Sequence, residues 1–205
     1  MPSRTGSTTR STTRSTTKAR LLDTAAELFR RQGYASTGLK QLTVQAGAPF
    51  GSLYHHFPGG KDELAEAVIR GAADYYLDLA LESFDPDLDP PAMIRAMFAG
   101  AADHLRESDY ADACPVATVA LEVASTNDRL RQATHDVFEI WLAWLESYFT
   151  DAGMQAAAAR TSAVHFLIAL EGAFLLGRAS RSTEALSIAG DAVAAQVAAE
   201  LATGP

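Results

Sequence analysis

Two adjacent histidines and a Gly-Gly-Lys run allow three chemical interpretations of the segment GSLYHHFPGGK, residues 51–61. His55 and His56 suggest a metal site, and Gly59-Gly60-Lys61 suggests a phosphate-binding loop. The mixture of small, aromatic and basic residues suggests instead a short helix that lies against a polyanion. Neighbouring residues on a helix point about 100° apart, so the two histidines cannot hold one ion as an i, i+4 pair does. We therefore predict no metal site.

The phosphate-loop and nucleophile motifs fail on their spacing. A G-x-x-x-x-G-K-[ST] loop that ends around Lys61 requires glycine at 55 and Ser or Thr at 62, where the chain has His55 and Asp62. The nearest fragment to a G-x-S-x-G nucleophile elbow is residues 47–51, with Pro49 at the nucleophile position. We predict that the chain is not an enzyme and uses no cofactor.

The charge is distributed unevenly along the chain. Residues 1–61 hold nine Lys or Arg and two acidic residues, a net charge of +7, whereas residues 62–205 have a net charge of −15. The total of −8 therefore conceals a basic N-terminal part joined to an acidic remainder. This asymmetry predicts that the N-terminal part meets a polyanion and that the rest keeps the protein in solution.

Composition places the chain among globular proteins of one or two domains. Of its 205 residues, 48% are hydrophobic and 20% are charged. No apolar run approaches the ~20 residues of a membrane helix, and the N-terminus lacks the apolar core of a signal peptide. We expect a cytoplasmic protein without a membrane partner. Cys114 is the single cysteine, which excludes an intrachain disulfide.

The hydrophobic period predicts an all-α fold of about nine helices. Residues 1–17, a near-repeat of Ser-Thr-Thr-Arg, predict a disordered basic arm; contact with DNA and a dispensable tail both stay open. A helix is predicted from Lys18 to Gly33, with an apolar stripe of Leu22, Ala25, Ala26 and Phe29. Two short helices, one long helix and five further helices follow, at about 37–47, 49–56, 61–82, 90–108, 115–125, 128–152, 156–179 and 183–202.

The two short helices, joined by a tight turn at Gly47, are typical of a helix-turn-helix motif. Thr37 is the expected N-cap of the first, and the second, from Pro49, is the expected recognition helix. Phe50 can touch a thymine methyl or wedge against sugars, and Lys61 opens the next helix as a phosphate contact. Whether Tyr54 contacts DNA or lies in the core stays open. The candidate DNA contacts are Thr37, Lys40, Pro49, Phe50, Gly51, Ser52, Tyr54, His55 and Lys61.

The stretch AAELFRRQGYASTGLKQLTVQAGAPFGSLYHHFPGGKDEL resembles the DNA-binding domain of the TetR family of transcriptional regulators. The later stretches CPVATVALEVAS (114–125) and LEGAFLLGRA (170–179) are similar to its LmrA/YxaF-like branch. The chain departs from the family at Pro49, where Ser is frequent, and at Phe50, where this branch often has Lys. Gly38 stands where the family often has a hydroxyl residue, and Thr43 replaces a common Ala. The operator sequence therefore does not follow from the resemblance.

The resemblance implies a helix-turn-helix DNA-binding domain at 18–62 and a ligand-binding and dimerisation domain at 63–205. It implies a repressor that binds a palindromic operator as a homodimer through the last two helices, about 156–202. A small hydrophobic or aromatic effector would tilt the helix from Lys61 and release the DNA. An activator, or a helical small-molecule-binding protein that no longer recognises an operator, is the alternative.

Aromatic and polar side chains at helical spacing predict an effector cavity in the C-terminal domain. Whether His165 and Glu171 face this cavity or the dimer interface stays open. The candidate ligand-binding residues are Met97, Phe98, His104, Cys114, Phe138, Trp141, Trp144, His165, Phe166, Leu170 and Glu171.

Overall fold

The computed structural model describes residues 16–82, 85 and 87–203, and over these residues it contains nine α-helices and no strand. The prediction of an all-α fold of about nine helices is confirmed, with helix ends within about two residues of those expected. The helices are α1 Thr17–Gln32, α2 Leu39–Gln45, α3 Phe50–His56, α4 Gly60–Glu82, α5 Pro90–Glu107, α6 Pro115–Val123, α7 Asp128–Asp151, α8 Ala156–Ser180 and α9 Glu184–Ala202.

Helix α1 begins one residue earlier than predicted. The side chain of Thr16 accepts a hydrogen bond from the backbone N–H of Ala19 at 3.2 Å and caps the helix, so the predicted arm ends before this residue. Residues 1–15 of the arm lie outside the described residues. The predicted apolar stripe is partly wrong, because Leu21 and Leu28 are buried with Ala25 and Phe29, whereas Leu22 and Ala26 only flank the core.

The helix-turn-helix is confirmed in position, but its predicted cap is wrong. The N-cap residue of α2 is Gly38, which has no side chain to cap the helix, and the hydroxyl of Thr37 donates to the carbonyl oxygen of Gly33 at 2.7 Å. Gly47 forms the turn with φ 58°, a conformation that favours glycine. The guanidinium of Arg20 in α1 donates to the carbonyls of Ala46 and Gly47 at 3.0 and 3.3 Å. These bonds fasten the turn to α1.

Two hydrophobic cores share the molecule. The first joins α1, α2 and α3 to α4, α6 and α7. The second joins α5, α7, α8 and α9. Helix α4 has 23 residues, which corresponds to a length of about 35 Å, and it runs from the helix-turn-helix to the boundary between the two cores.

Helices α8 and α9 are long and apolar enough to cross a membrane by length and composition alone. Each packs within the second core, where α9 lies against α5 and α8, and α8 lies against α7. Core helices of soluble proteins commonly have this composition.

Gly190 in α9 allows this helix to lie directly against α5. A methyl group at this position would lie 2.7 Å from Cβ of Phe98. We expect Gly190→Ala to lower the free energy of unfolding by about 1–3 kcal/mol through overpacking. Gly71→Ala, at an exposed helical position with open space around it, is expected to raise it by about 0.5–1 kcal/mol. Urea denaturation at one protein concentration measures both; equal effects would contradict the assigned α5–α9 contact.

Candidate DNA-binding surface and effector cavity

One face of helix α3 is buried in the hydrophobic core, and the opposite face is exposed to solvent. Leu53 is fully buried and Phe57, which ends the helix, is 2% exposed. On the opposite face, Phe50 is 50% exposed and Tyr54 is 47% exposed, and His55 is also exposed. An anchored short helix with an exposed face is the arrangement of a recognition helix.

The α1–α2 loop and the start of α4 are tied to the C-terminal half by carboxylates. Glu122 of α6 accepts hydrogen bonds from the backbone N–H groups of Tyr34 and Ala35 at 3.0 and 2.6 Å. The Tyr34 hydroxyl donates to Asp62 in α4, and Asp62 accepts a second bond from the amide of Asn127 at 2.9 Å. Burial, followed by the hydrogen bond with Asp62, raises the pKa of Tyr34. The first turn of α4 is thereby bonded to the α1–α2 loop and to the N-cap residue of α7.

A second link joins α1 to the α5–α6 loop. Asp112, which is buried, lies 3.4 Å from Nε of Arg30 and 3.3 Å from Nε of Arg31. Nε2 of His104 in α5 lies 3.7 Å from the same carboxylate. Asp109 and Tyr110 precede it with φ values of 52° and 60°, so the loop contains two consecutive residues in the left-handed region.

A cavity of about 380 Å³ lies where the two cores meet. Helices α4, α5, α7 and α8 and the loop before α6 surround it, and its wall is mainly apolar and aromatic. Its size falls within the range of small-molecule sites. The residues that line it include Tyr76, Met97, His104, Asp112, Cys114, Trp141, Trp144, Phe166, Leu170 and Glu171.

Glu171 and Cys114 form a polar pair in this apolar wall. Burial raises the pKa of Glu171 to about 7, although a hydrogen bond with Cys114 partly opposes the shift. Burial and the neighbouring Glu171 carboxylate raise the pKa of the Cys114 thiol, so the thiol stays protonated at neutral pH. Within the described residues no cation forms an ion pair with Glu171.

Comparison with known proteins identifies both halves. Residues 21–68 match the family model of the bacterial regulatory proteins of the tetR family, and residues 90–192 match the C-terminal domain of LmrA/YxaF-like transcriptional regulators. The HTH-type transcriptional regulator LmrA of Bacillus subtilis is 30% identical over 169 residues, covering 82% of this chain and 90% of LmrA. The chain belongs to the TetR family of transcriptional regulators.

Other relatives agree with this assignment. The uncharacterized regulator YxaF of B. subtilis is 36% identical over 124 residues, covering 60% of this chain and 65% of YxaF. The crystal structure of regulatory protein TetR from Rhodobacter sphaeroides superposes with a TM-score of 0.78 at 25% identity, covering 86% of this chain and 96% of that one. This TetR-family protein is therefore a DNA-binding transcriptional regulator and not an enzyme.

The predicted DNA contacts of this TetR-family regulator occupy different environments. Lys40, Pro49, Phe50, Gly51, Tyr54 and His55 are exposed on the helix-turn-helix, and the core position considered for Tyr54 is excluded. Thr37 is 1% exposed and its hydroxyl is bonded to Gly33, so it presents no surface to DNA. The Ser52 hydroxyl donates to the carbonyl oxygen of Pro49 at 2.5 Å.

Lys61, the predicted phosphate contact, lies at the start of α4 near acidic side chains. Glu63 accepts the backbone N–H of Gly59 at 2.6 Å, which places a carboxylate at the start of α4. Nζ of Lys61 lies 4.2 Å from the centre of the Tyr34 ring and donates to the carbonyl oxygen of Ala35 at 3.4 Å. Burial lowers the pKa of Lys61, against the opposing effects of Glu122 and Asp62.

The rings of His55 and His56 lie edge to face, with centroids 5.0 Å apart. Across the described residues there is no group of three or more His, Cys, Asp or Glu side chains that could hold a metal ion.

The structure brings eight of the eleven predicted ligand residues to the cavity and excludes three. Phe98 points to α9 and its ring packs on Phe166 at 5.2 Å, because it lies about 100° around α5 from Met97. Phe138 packs in the first core beside Trp141 without lining the cavity. His165 is exposed, with Nδ1 2.8 Å from Oε1 of Gln196 in α9.

The cavity is also lined by residues that the sequence patterns did not indicate. Tyr76 and Leu77 line the cavity from α4, Asp112 lines it from the loop, and Leu167 and Phe174 line it from α8. The aromatic pair at 75 and 76 and an acidic residue two positions before the single cysteine were the available signals.

Glu171→Gln is expected to remove a pH dependence of stability. A folded-state pKa of about 7, above the ordinary value near 4.5, means that Glu171 binds a proton more tightly when the protein is folded. Wild-type stability should therefore fall, relative to the variant, as pH rises from about 5 to 8. The difference should grow by the order of 2–3 kcal/mol between pH 5 and pH 8.

Urea denaturation of both proteins between pH 5 and pH 8 measures this difference. Tyr76 and Cys114, which face the carboxyl, have raised pKa values and stay neutral over this range. Glu107→Gln, at an exposed glutamate of α5, is the control and should follow wild type at every pH. A constant difference between wild type and Glu171→Gln would show that Glu171 is ionised throughout.

Proposed function

We propose that this chain is a ligand-responsive repressor that binds a palindromic operator as a homodimer in the cytoplasm. Residues 18–62 form its DNA-binding domain, and residues 63–205 form its ligand-binding and dimerisation domain. A small hydrophobic or aromatic effector fills the cavity and releases the DNA. The position of helix α4 is the main support for this proposal. Its first turn accepts a hydrogen bond from Tyr34 beside the helix-turn-helix, and its later turns line the cavity.

Operator binding is supported by the exposed face of α3 and by the charge of the N-terminal region. Residues 1–61 have a net charge of +7, and the exposed Lys40 and His55 carry groups that can reach phosphate oxygens. The excess of acidic residues elsewhere favours this end of the protein as the part that meets DNA.

Effector binding is supported by the composition and the position of the cavity. Met97, Trp141, Trp144 and Phe166 supply apolar and aromatic surface, and Glu171 supplies one polar group that orients a ligand. A ligand that packs against Tyr76 meets α4 directly, so its binding favours one orientation of this helix. In a dimer, such a tilt changes the spacing of the two recognition helices.

Dimerisation is supported by an exposed apolar face, which we call the α8–α9 face. Ile168, Leu175 and Leu176 of α8 and Ile188 of α9 are each 62–65% exposed, although the opposite sides of both helices are buried in the core. Large apolar side chains grouped on one exposed face are typical of a protein–protein contact. Two copies related by a two-fold axis would form a four-helix interface.

Selection from a pool of randomised DNA duplexes by the full-length protein tests operator binding. We expect an inverted repeat whose half-site centres are about 34 Å apart, bound with a steep dependence on salt. Enrichment of no inverted repeat would contradict the proposal and favour a helical small-molecule-binding protein that no longer recognises an operator.

Lys40→Gln and Arg95→Gln provide a matched pair for the salt dependence. Both remove one exposed positive charge, but Arg95 lies on α5 in an ion pair with Asp191. Lys40→Gln should reduce the slope of log affinity against log salt by about one per half-site, and Arg95→Gln should not change it.

A panel of aromatic compounds, added to the operator complex, tests effector release. Compounds that enter the cavity should quench the fluorescence of Trp141 and Trp144 and release the DNA together. Binding that quenches both tryptophans while operator affinity stays constant would contradict the regulatory role of the cavity.

A further inference from the structure

The first turn of the recognition helix offers no free side-chain donor to a base edge. Pro49 has no N–H, Gly51 has no side chain, and the Ser52 hydroxyl is already donated to the carbonyl oxygen of Pro49 at 2.5 Å. Phe50 is the one residue of these four with a large side chain pointing outward, and it is 50% exposed. In helix-turn-helix proteins, this part of the second helix contacts base edges.

Phe50 has no packing role that explains its type. Its ring contacts the exposed Tyr54 edge to face, with centroids 5.8 Å apart, and it does not belong to either hydrophobic core. Tyr54 lies one turn later on the same exposed face of α3. Val44, in the last turn of α2, is 74% exposed, so a second apolar side chain stands exposed in the same motif.

One apolar group is displayed on base edges in the major groove of DNA, the C5 methyl of thymine. Guanine recognition uses Arg or Lys, and adenine recognition uses Asn or Gln; Phe50 can do neither. We infer that Phe50 determines operator specificity by packing its ring on a thymine methyl in each half-site. This inference rests on the operator binding proposed above.

Replacement of thymine by uracil tests the inference, because it removes the methyl and keeps every hydrogen-bonding group of the base. The probes are versions of the inverted repeat obtained by selection. In each version, uracil replaces thymine at one position of a half-site and at the symmetric position of the other half-site. Burial of one methyl corresponds to about a fourfold change in affinity per half-site, and about fifteenfold for two half-sites. We expect one symmetric pair of positions to show this loss for the wild-type protein.

The Phe50→Ala variant shows whether the lost affinity belongs to this side chain. It should bind thymine and uracil equally at that pair, whereas Phe50→Leu, which keeps an apolar contact, should retain part of the preference. Val44→Ala is the matched control and should leave the ratio at that pair unchanged. Because Phe50 is half exposed, circular dichroism and thermal melting should show that all three variants remain folded.

Three results would overturn the inference while leaving operator binding intact. The first is an operator without thymine in its half-sites, and the second is equal affinity of wild type for every uracil-substituted operator. The third is a Phe50→Ala variant that loses the same factor of affinity for the thymine and the uracil operators and so keeps the wild-type preference between them. This result is expected if the ring packs on sugars or between base steps. Failure to select any inverted repeat would instead defeat the proposed function, and the inference with it.

A gain-of-specificity variant gives an independent readout. Lysine can donate to O6 and N7 of guanine, so selection with Phe50→Lys should replace the thymine at the same pair by guanine on one strand. An unchanged selected sequence would show that residue 50 does not face a base edge.

Discussion

The variant Ile168→Glu/Leu175→Glu is expected to be a folded monomer that has lost operator binding. Both side chains lie on the α8–α9 face and are 65% and 63% exposed, so the substitutions place carboxylates on the surface of one chain without entering its core. In a two-fold interface each substitution occurs twice, which brings four added carboxylates into an apolar contact. Burying such charges without partners costs more than the interface can supply.

Loss of the dimer should weaken operator binding by a factor of about 10²–10⁴, because a monomer occupies one half-site without the effective concentration supplied by its partner. Analytical ultracentrifugation should give the 21.8 kDa of one chain for the variant and twice this mass for wild type. Fluorescence anisotropy with the selected operator measures the affinity.

Leu121→Glu is the matched control for this experiment. Leu121 of α6 is 83% exposed but lies outside the α8–α9 face, so Leu121→Glu adds one carboxylate per chain, against two in the double variant, and the dimer should persist. A dimeric Ile168→Glu/Leu175→Glu variant would show that another surface forms the interface.

Helix boundaries were predictable because the signals that end helices are local. Gly33, Gly47 and the Pro-Gly-Gly run at 58–60 interrupt the chain where the structure shows turns. The face that a helix buries depends on its neighbours and was harder to predict. Met97 lines the cavity, whereas the next residue, Phe98, packs against α9. In α1, Leu21 is buried and the next residue, Leu22, is not.

Contacts between distant residues lay beyond the sequence patterns. Thr37 is of a residue type that commonly caps helices, but its hydroxyl donates to the carbonyl oxygen of Gly33 instead. Glu63 accepts the backbone N–H of Gly59 at the start of α4, close to the phosphate contact that the sequence predicts at Lys61. Arg31 and Asp112 are 81 positions apart, and no periodicity in the chain relates them. The regulator's fold and recognition helix were therefore predicted, whereas the links between its two halves required the structure.

Asp112→Asn is expected to separate effector binding from DNA release. Asp112 lines the cavity and pairs with Arg30 and Arg31, so it contacts both the proposed effector site and helix α1. If an effector binds beside His104 and Cys114, we expect it to displace the loop that carries Asp112. The ion pairs should then transmit this displacement to α1, in parallel with the proposed tilt of α4.

Asparagine keeps the size of the side chain and removes its charge, so the wall of the cavity is nearly unchanged. Stability should fall by about 1–3 kcal/mol, between the values for exposed and buried ion pairs, because Arg30 is mostly buried and Arg31 is half exposed. Asp136→Asn removes an exposed ion pair with Arg70 and should lower stability by less than about 1 kcal/mol.

The decisive measurement is the ratio of operator affinities without and with a compound that releases wild type. Asp112→Asn should reduce this ratio at least about fivefold, while tryptophan quenching shows that the compound still binds with similar affinity. Tyr34→Phe, which removes the hydrogen bond to Asp62 at the start of α4, tests the parallel route in the same assay. If Tyr34→Phe abolishes release and Asp112→Asn does not change it, the signal passes through α4 alone and the ion pairs of Asp112 serve only stability.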